Sequence, residues 1–195
     1  MAWISKNEYL SESEMKNNAE IVNTYLSNKG WTKNAIAALL GNMQSESTIN
    51  PGIWQSLNQG NMSGGFGLVQ WTPATNFTDW ADTNGYSWTD GNAQLKWIDE
   101  ETTSFGQWIP TSTYNMSFEE FKTSSETPET LASAFLKNFE RAGVEVESER
   151  QANATFWYEY ITNTITPPIT PSGTTTKKHK FKFVLFNRQR RNRIL

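Results

Sequence analysis

The chain has 195 residues, of which 36% are hydrophobic, which suits one domain with an extension. It has no cysteine and one histidine, His179, so thiol catalysis, disulfides and Cys/His zinc sites are excluded, and we expect neither metal nor cofactor. Residues 177–195 hold 8 of the 17 Lys and Arg residues, leaving 9 against 20 acidic residues in the body. This acidic body argues against a nucleic-acid ligand. Carboxylates are the main acid–base groups left for catalysis.

Two helical patterns open the chain and lead to one carboxylate. Ser11 or Ser13 can cap a first amphipathic helix, and Gly30 is placed to end it. Thr32 can cap a second helix, whose apolar stripe runs up to Glu46. We therefore expect Glu46 at or just past the C-terminal end of a largely buried helix.

The rest of the body is predicted to be helical apart from one loop. Residues 50–70 are rich in Gly, Asn, Ser and Gln, which predicts a loop or a small, irregular β-hairpin. Thr72 and Pro73 are predicted to begin the next helix as N-cap and first helical residue. Further helices are expected around residues 91–104, around 117–123 with a capping box, from Thr127, and from Ser148 with Gln151.

The composition divides the chain into three predicted segments. Residues 1–161 form the domain, and residues 162–176 read as a linker rich in Thr and Pro. Residues 177–195 form a basic tail in which Lys180-Phe181-Lys182-Phe183 alternates basic and aromatic side chains, and we expect this tail to anchor the chain to a larger assembly by adding a strand to a partner's sheet edge. The alternatives are a disordered basic end, or binding to anionic wall polymers or a membrane. The N-terminus lacks the features of a signal peptide, and no apolar run approaches a membrane span of roughly 20 residues.

Glu46 is the candidate catalytic residue. Cleavage of a glycosidic bond needs a proton donor, and a carboxylic acid serves at neutral pH when apolar surroundings disfavour its ionised form. Apolar residues precede and follow Glu46, and no Lys or Arg occurs between Lys33 and Lys96 to pair with it from nearby in the sequence. The alternative is a solvated residue at a helix end, where the helix dipole would disfavour it.

A glycine-rich turn some twenty residues later supplies the candidate binding residues. Its glycines permit positive φ or close approach of a ligand, Gln70 offers an acceptor and donors for sugar groups, and nearby aromatic rings offer apolar faces. The alternatives are a simple hairpin turn and a packed core. The substrate-binding candidates are Trp54, Ser63, Phe66, Gly67, Gln70 and Trp71.

These residues also carry a family resemblance. Glu46-Ser47 and Gly67-Leu68-Val69-Gln70 resemble the Glu-Ser and Gly-Leu-Met-Gln motifs of goose-type lysozymes and lytic transglycosylases. The longer strings over residues 40–52 and 65–73 are more similar to phage tail lysozymes, in particular the lysozyme domain of tail-tip (tail-knob) morphogenesis proteins of small podoviruses. The similarity spans roughly residues 8–161.

The resemblance implies a lysozyme-like α+β fold, predominantly helical, with a small β-hairpin region lining the cleft. It implies cleavage of the MurNAc–GlcNAc β-1,4 bond of peptidoglycan with Glu46 as general acid, in a virion-associated enzyme that opens the wall during infection. The expected partners are peptidoglycan glycan strands and, through residues 177–195, other phage tail proteins. A holin-released endolysin and an inactive wall-binding or structural tail module are the alternative roles.

The second catalytic group is left open by the sequence. Asp79, Asp82 and Asp90 are candidates only by their distance along the chain. Without a second carboxylate, a lytic transglycosylase reaction through a 1,6-anhydro product is the alternative, because it needs one acid–base residue.

Overall fold

The computed structural model describes residues 1–141 and 146–164. Two of its helices continue into π-helical turns, the helix Gly91–Lys96 over Trp97–Glu101 and the helix Pro128–Phe135 over Leu136–Glu140, and a 3₁₀ turn covers Gln55–Leu57. Within the described ranges, none of the helices is long and apolar enough to cross a membrane. The α-helices of these ranges are α1 (Glu12–Asn28), α2 (Lys33–Ser47), α3 (Thr75–Thr83), α4 (Gly91–Lys96), α5 (Phe118–Thr123), α6 (Pro128–Phe135) and α7 (Glu147–Thr164).

The predicted C-terminal segments lie mostly beyond these ranges. Helix α7 continues past Ile161 to Thr164, so the first residues of the predicted linker are helical. The remainder of residues 162–176 and the basic tail 177–195 lie outside the described residues, and their predicted roles stay predictions.

Helix α2 lies at the centre of the core. It packs against α1, α5, α6 and α7, and a helix that is apolar on all sides is buried on all sides. Its last turn, which carries Glu46, therefore lies where the core ends. The buried residues of α2 are Ala35, Ile36, Ala37, Ala38, Leu39, Leu40, Gly41, Asn42, Met43 and Ser47.

The capping predictions for α1, α2 and α5 are confirmed. Ser11, rather than Ser13, caps α1 in a capping box with Glu14. Thr32 caps α2 by accepting a hydrogen bond from the amide of Ala35, and Ser117 forms the expected box with its Glu. These caps satisfy amides that have no partner within the helix.

Two predicted helix starts are wrong. Helix α3 begins at Thr75 with Ala74 as its N-cap and without a side-chain cap. The hydroxyl of Thr72 instead donates to the carbonyl of Gln70 at 2.9 Å, so it serves the preceding turn. Helix α7 begins at Glu147, which places Ser148 inside its first turn.

The predicted β-hairpin is not found within the described residues. Its place is taken by two isolated antiparallel bridges, which pair Phe66 with Trp54 and with Trp71. The ladder does not extend because the backbone leaves the extended region on both sides, with positive φ at Ser56, Leu57 and Gly67. The fold is thus predominantly helical, with an irregular loop where the α+β prediction placed strands.

The N-terminal segment braces the loop that follows α2. The side chain of buried Asn50 accepts from the amide of Lys6 at 3.3 Å and donates to the carbonyls of Lys6 and Glu8 at 2.6 and 2.7 Å. The amide of Leu10 donates to the hydroxyl of Thr48 at 2.9 Å. Because buried polar groups need such partners, these bonds fix the chain just after Glu46.

Candidate active site

Glu46 lies inside the last turn of α2, and 10% of its side-chain surface is exposed. Thr48 ends the helix in the left-handed conformation, with φ 55°. The C-terminal end of a helix carries a partial negative charge, which disfavours a carboxylate there. A partly buried Glu46 therefore needs a compensating donor or cation.

The fold supplies that cation from α7. The guanidinium Nη2 of Arg150 forms a hydrogen-bonded ion pair with Oε1 of Glu46, and the Arg150 side chain is 3% exposed. Nη1 of Arg150 donates to Oδ1 of Asn42, one turn earlier on α2, at 3.0 Å. No Lys or Arg lies near Glu46 along the chain, so the sequence did not indicate this partner, which the fold brings from 104 residues away.

Gly41 lets α7 approach α2 closely enough for this contact. A Cβ at Gly41 would lie 2.7 Å from both the amide nitrogen of Ala154 and the carbonyl oxygen of Arg150. These are backbone atoms, which cannot rotate away as a side chain can. The missing side chain at Gly41 thus sets the distance at which Arg150 meets Glu46.

Ser47 and Gln94 bring the glycine-rich turn to the end of α2. The buried hydroxyl of Ser47 donates to the carbonyl of Leu68 at 2.8 Å. Oε1 of the fully buried Gln94, on α4, accepts from the amide of Leu68 at 2.8 Å, and its Nε2 donates to the carbonyls of Pro51 and Trp88 at 2.7 and 2.8 Å. The two motifs predicted to form one site are therefore in contact.

Gly67 is required in this turn. Its φ is +77°, and a Cβ there would lie 2.7 Å from the Gln94 side chain. Both the conformation and the space favour glycine. The prediction that glycine in this turn permits positive φ is confirmed at this position.

Gln70 closes the same turn. Its φ is +50°, and its Nε2 donates to the carbonyls of Ile53 and Gly67 at 3.2 and 3.1 Å. The amide protons of Gln70 thus stabilise the turn itself. Its side-chain oxygen is the part of the group that the predicted sugar contact would use.

The predicted aromatic binding residues are packed in the core. Phe66 is fully buried, and Trp54 and Trp71 are nearly so. The ring of Trp71 stacks on Phe77 with centroids 4.7 Å apart, and Trp54 packs on Phe66 at 4.5 Å. In the free domain these rings support the turn from behind, and their predicted contact with sugar stays a prediction.

Backbone strain is concentrated around this site. Besides Gln70, the non-glycine residues with positive φ include Thr48 and Ile49 directly after α2, and Ser56 and Leu57 in the following loop. Ile49 is β-branched, for which this conformation is a real outlier. Strain of about 1–3 kcal/mol per residue persists only where the surroundings impose it, and it concentrates at functional sites.

The other predicted candidates are less well placed. Ser63 is exposed in the loop before the glycine turn. Asp90 caps α4, Asp82 accepts from the indole of Trp88 at 2.6 Å, and Asp79 lies exposed on α3. Two of the three candidate carboxylates thus have structural partners, and the described part of the chain offers no cluster of acidic or histidine residues that could hold a metal.

The sequence carried an overlooked signal for Arg150. Arg150 stands on the same face of α7 as Ala154, Trp157 and Ile161, at helical spacing, and all four are buried. A charged residue on an apolar stripe requires a partner in the core. The stripe could thus have marked Arg150 as functional, whereas only the fold reveals that Glu46 is the partner.

A helical domain with one carboxylate at the end of its central helix, next to a glycine turn, has the arrangement of a lysozyme-like domain. Residues 17–161 match the phage tail lysozyme family, and the chain belongs to that family. It is also 50% identical over 158 residues to morphogenesis protein 1 of Bacillus phage B103, covering 81% of this chain and 43% of that protein. The predicted family is confirmed, and the chain spans less than half the length of this curated relative.

Proposed function

We propose that residues 1–161 form a peptidoglycan glycoside hydrolase that cleaves the MurNAc–GlcNAc β-1,4 bond with Glu46 as general acid. The observation that carries this proposal is the position of Glu46, largely buried at the end of α2 and joined through Ser47 to the glycine turn. Membership of the phage tail lysozyme family supports the lysozyme-like activity.

The reaction assigns one proton transfer to Glu46. The carboxyl proton passes to the glycosidic oxygen, the bond from C1 to that oxygen breaks, and its electron pair stays with the oxygen as the leaving hydroxyl. Water then attacks C1, and its proton returns to the Glu46 carboxylate. The acid is thus regenerated, and the product carries a reducing MurNAc.

We place the substrate against the glycine turn, which is bonded to Ser47 next to Glu46. The exposed Ser63, the backbone around Gly67 and the side-chain oxygen of Gln70 are the polar groups we assign to the N-acetyl and hydroxyl groups of the sugars. Trp54, Phe66 and Trp71 shape this surface from beneath. Their burial assigns them chiefly to support of the turn.

A lytic transglycosylase is the second candidate. Asp82 and Asp90 each have a structural partner, so neither is assigned as a second carboxylate beside Glu46. This favours a reaction that needs one acid–base residue. In that reaction the 6-hydroxyl of MurNAc attacks C1 in place of water, and Glu46 takes the hydroxyl proton. The product is then 1,6-anhydro-MurNAc.

The proposed setting is the virion. The relative in phage B103 is a morphogenesis protein, which supports a tail component that opens the wall locally while the genome enters the host. In this role residues 177–195 attach the domain to other tail proteins. Detection of the protein in purified particles supports this setting, whereas its presence only in lysates supports a holin-released endolysin.

Mass spectrometry of the fragments released from purified cell walls tests the reaction. Reducing-end MurNAc supports the hydrolase, and anhydro-MurNAc supports the transglycosylase. Reducing-end GlcNAc contradicts both candidate reactions, because both break the bond at C1 of MurNAc. If the folded protein releases no fragment, the domain is an inactive wall-binding or structural module.

A further inference from the structure

Arg150 is a buried charge whose side-chain hydrogen bonds run to the last turns of α2. An arginine keeps its proton in proteins, so its guanidinium enters the core as a cation. Burying a charge costs free energy unless it is paired and hydrogen-bonded. Glu46 supplies the opposite charge, and Asn42 supplies a further acceptor.

The guanidinium is held in place before any substrate binds. Asn42 donates its amide protons to the carbonyls of Ala38 at 2.9 Å and Ala132 at 3.1 Å, which turns its oxygen toward Arg150. The close crossing at Gly41 fixes the backbone of Arg150 against α2. A side chain fixed at both ends in this way is preorganised for electrostatic work.

We propose that Arg150 is a positioning residue for the reaction, which orients Glu46 and stabilises the negative charge that Glu46 acquires when it donates its proton. This inference rests on the proposed function. Nη2 holds Glu46 by Oε1, which leaves Oε2 to take a proton from solvent and pass it to the glycosidic oxygen. When the proton leaves, the electron pair of the O–H bond stays on Glu46, beside the guanidinium.

The charge matters through both halves of the reaction. Glu46 is a carboxylate from the moment the glycosidic bond breaks until water or a sugar hydroxyl returns a proton. A fixed cation stabilises this state more than the neutral acid that precedes it, and such differential stabilisation accelerates the reaction. Arg150 also offsets the unfavourable end of the α2 dipole during that interval.

A purely structural role for the pair makes different predictions. If the salt bridge only joins α7 to α2, its removal would lower the stability of the fold. Turnover would then fall only in proportion to the fraction of protein that is folded. The matched control is Lys122, which is 13% exposed and pairs with Asp99, 7% exposed, near the N-terminal end of α2. Its replacement removes a comparable ion pair without touching Glu46.

The test measures kcat and KM on soluble glycan strands for wild type, R150M, R150K and K122M, with circular dichroism to determine the folded fraction. We expect kcat of folded R150M to fall about 100-fold with KM changed less than about twofold. R150K keeps the charge but not the planar fork of the guanidinium, so its kcat should lie between those of R150M and wild type. K122M should keep its kcat within about twofold of wild type.

The double variant E46Q/R150M separates positioning from structure. If Arg150 acts through Glu46, R150M should lower the residual rate of E46Q less than about twofold, because groups that act as a unit are not additive. A further loss as large as in the wild-type background would overturn the proposal. A kcat equal to that of wild type in folded R150M would also overturn the proposal. If R150M does not fold, a wild-type kcat in R150K would overturn it. An inactive wild type or a fully active E46Q would instead refute the proposed function.

Discussion

Replacing Gly41 with alanine tests the helix crossing on which the site depends. The new Cβ would lie 2.7 Å from two backbone atoms of α7, so the helices must separate. Alanine gains about 1 kcal/mol over glycine inside a helix. Overpacking costs about 1–3 kcal/mol, and we take about 3 kcal/mol here because backbone cannot rotate away. The net expectation is a loss of about 2 kcal/mol, or about 4–8 °C in Tm.

Urea and thermal unfolding followed by tryptophan fluorescence measure this change. G41A should also lose wall-cleaving activity per folded molecule, because the shift of α7 draws Arg150 away from Glu46. A G41A protein as stable as wild type, or more stable by the helix-propensity gain, would refute the reasoning.

A second variant sharpens this test. The nearest atoms to the new Cβ are the nitrogen and Cα of Ala154 and the oxygen of Arg150, none of them in the Ala154 side chain. Trimming that side chain in G41A/A154G should therefore restore no stability. Recovery in the double variant would show that the strain falls on side chains rather than on the backbone of α7.

Three further predictions concern the turn, the N-terminal brace and the tail. Gln94→Leu leaves two buried backbone groups and one partly buried one without its hydrogen bonds, so it should lose about 3 kcal/mol in urea unfolding; a loss below about 1 kcal/mol would contradict this role. Hydrogen bonds from Lys6 and from the amide and hydroxyl of Ser11 lower the pKa of Glu14 to about 2 from 4.5, so its stabilisation is present above pH 4.5 and is lost as the pH falls toward 2. Thermal unfolding of Glu14→Gln should vary less over this range than that of wild type, and equal variation would count against it. Deleting residues 165–195 should preserve wall cleavage but abolish incorporation into particles; normal incorporation would exclude the anchoring role.

The parts of the site that are close in sequence could be predicted. The apolar stripe of α2 is continuous up to Glu46, and the cap at Thr32 is local, so the helix and its end follow from the residues themselves. The contact between Ser47 and Leu68 also joins the two motifs that the sequence singled out. Local chemistry was therefore sufficient to find the candidate acid and the turn beside it.

The remaining parts depend on contacts that no local pattern specifies. Arg150 reaches Glu46 from 104 residues away, and the distance is set by the absence of a side chain at Gly41. The hairpin prediction was wrong because tertiary contacts impose positive φ on residues such as Leu57, whose intrinsic backbone preference is for negative φ. The candidate aromatic residues were identified, but only the fold shows that packing covers their rings.

Helix α7 illustrates both limits at once. Its apolar stripe predicted a helix correctly, yet its start was misplaced because Ser148 resembles a cap when only the sequence is considered. The same stripe contains a buried arginine, which should have raised the question of a partner. A charged residue within an otherwise apolar helical pattern therefore indicates a buried group whose partner lies elsewhere in the chain.

The most direct test of the central claim compares wild type with Glu46→Gln in the release of fragments from purified cell walls. The amide keeps the size of the side chain and can still accept from Arg150, but its N–H protons are not acidic enough to transfer to the glycosidic oxygen. Glu119→Gln, at a carboxylate that is 72% exposed on α5, is the matched control. We expect Glu46→Gln to lose at least about 100-fold in rate while folded, with Glu119→Gln unchanged. Equal rates for wild type and Glu46→Gln would contradict the assignment of Glu46 as the acid.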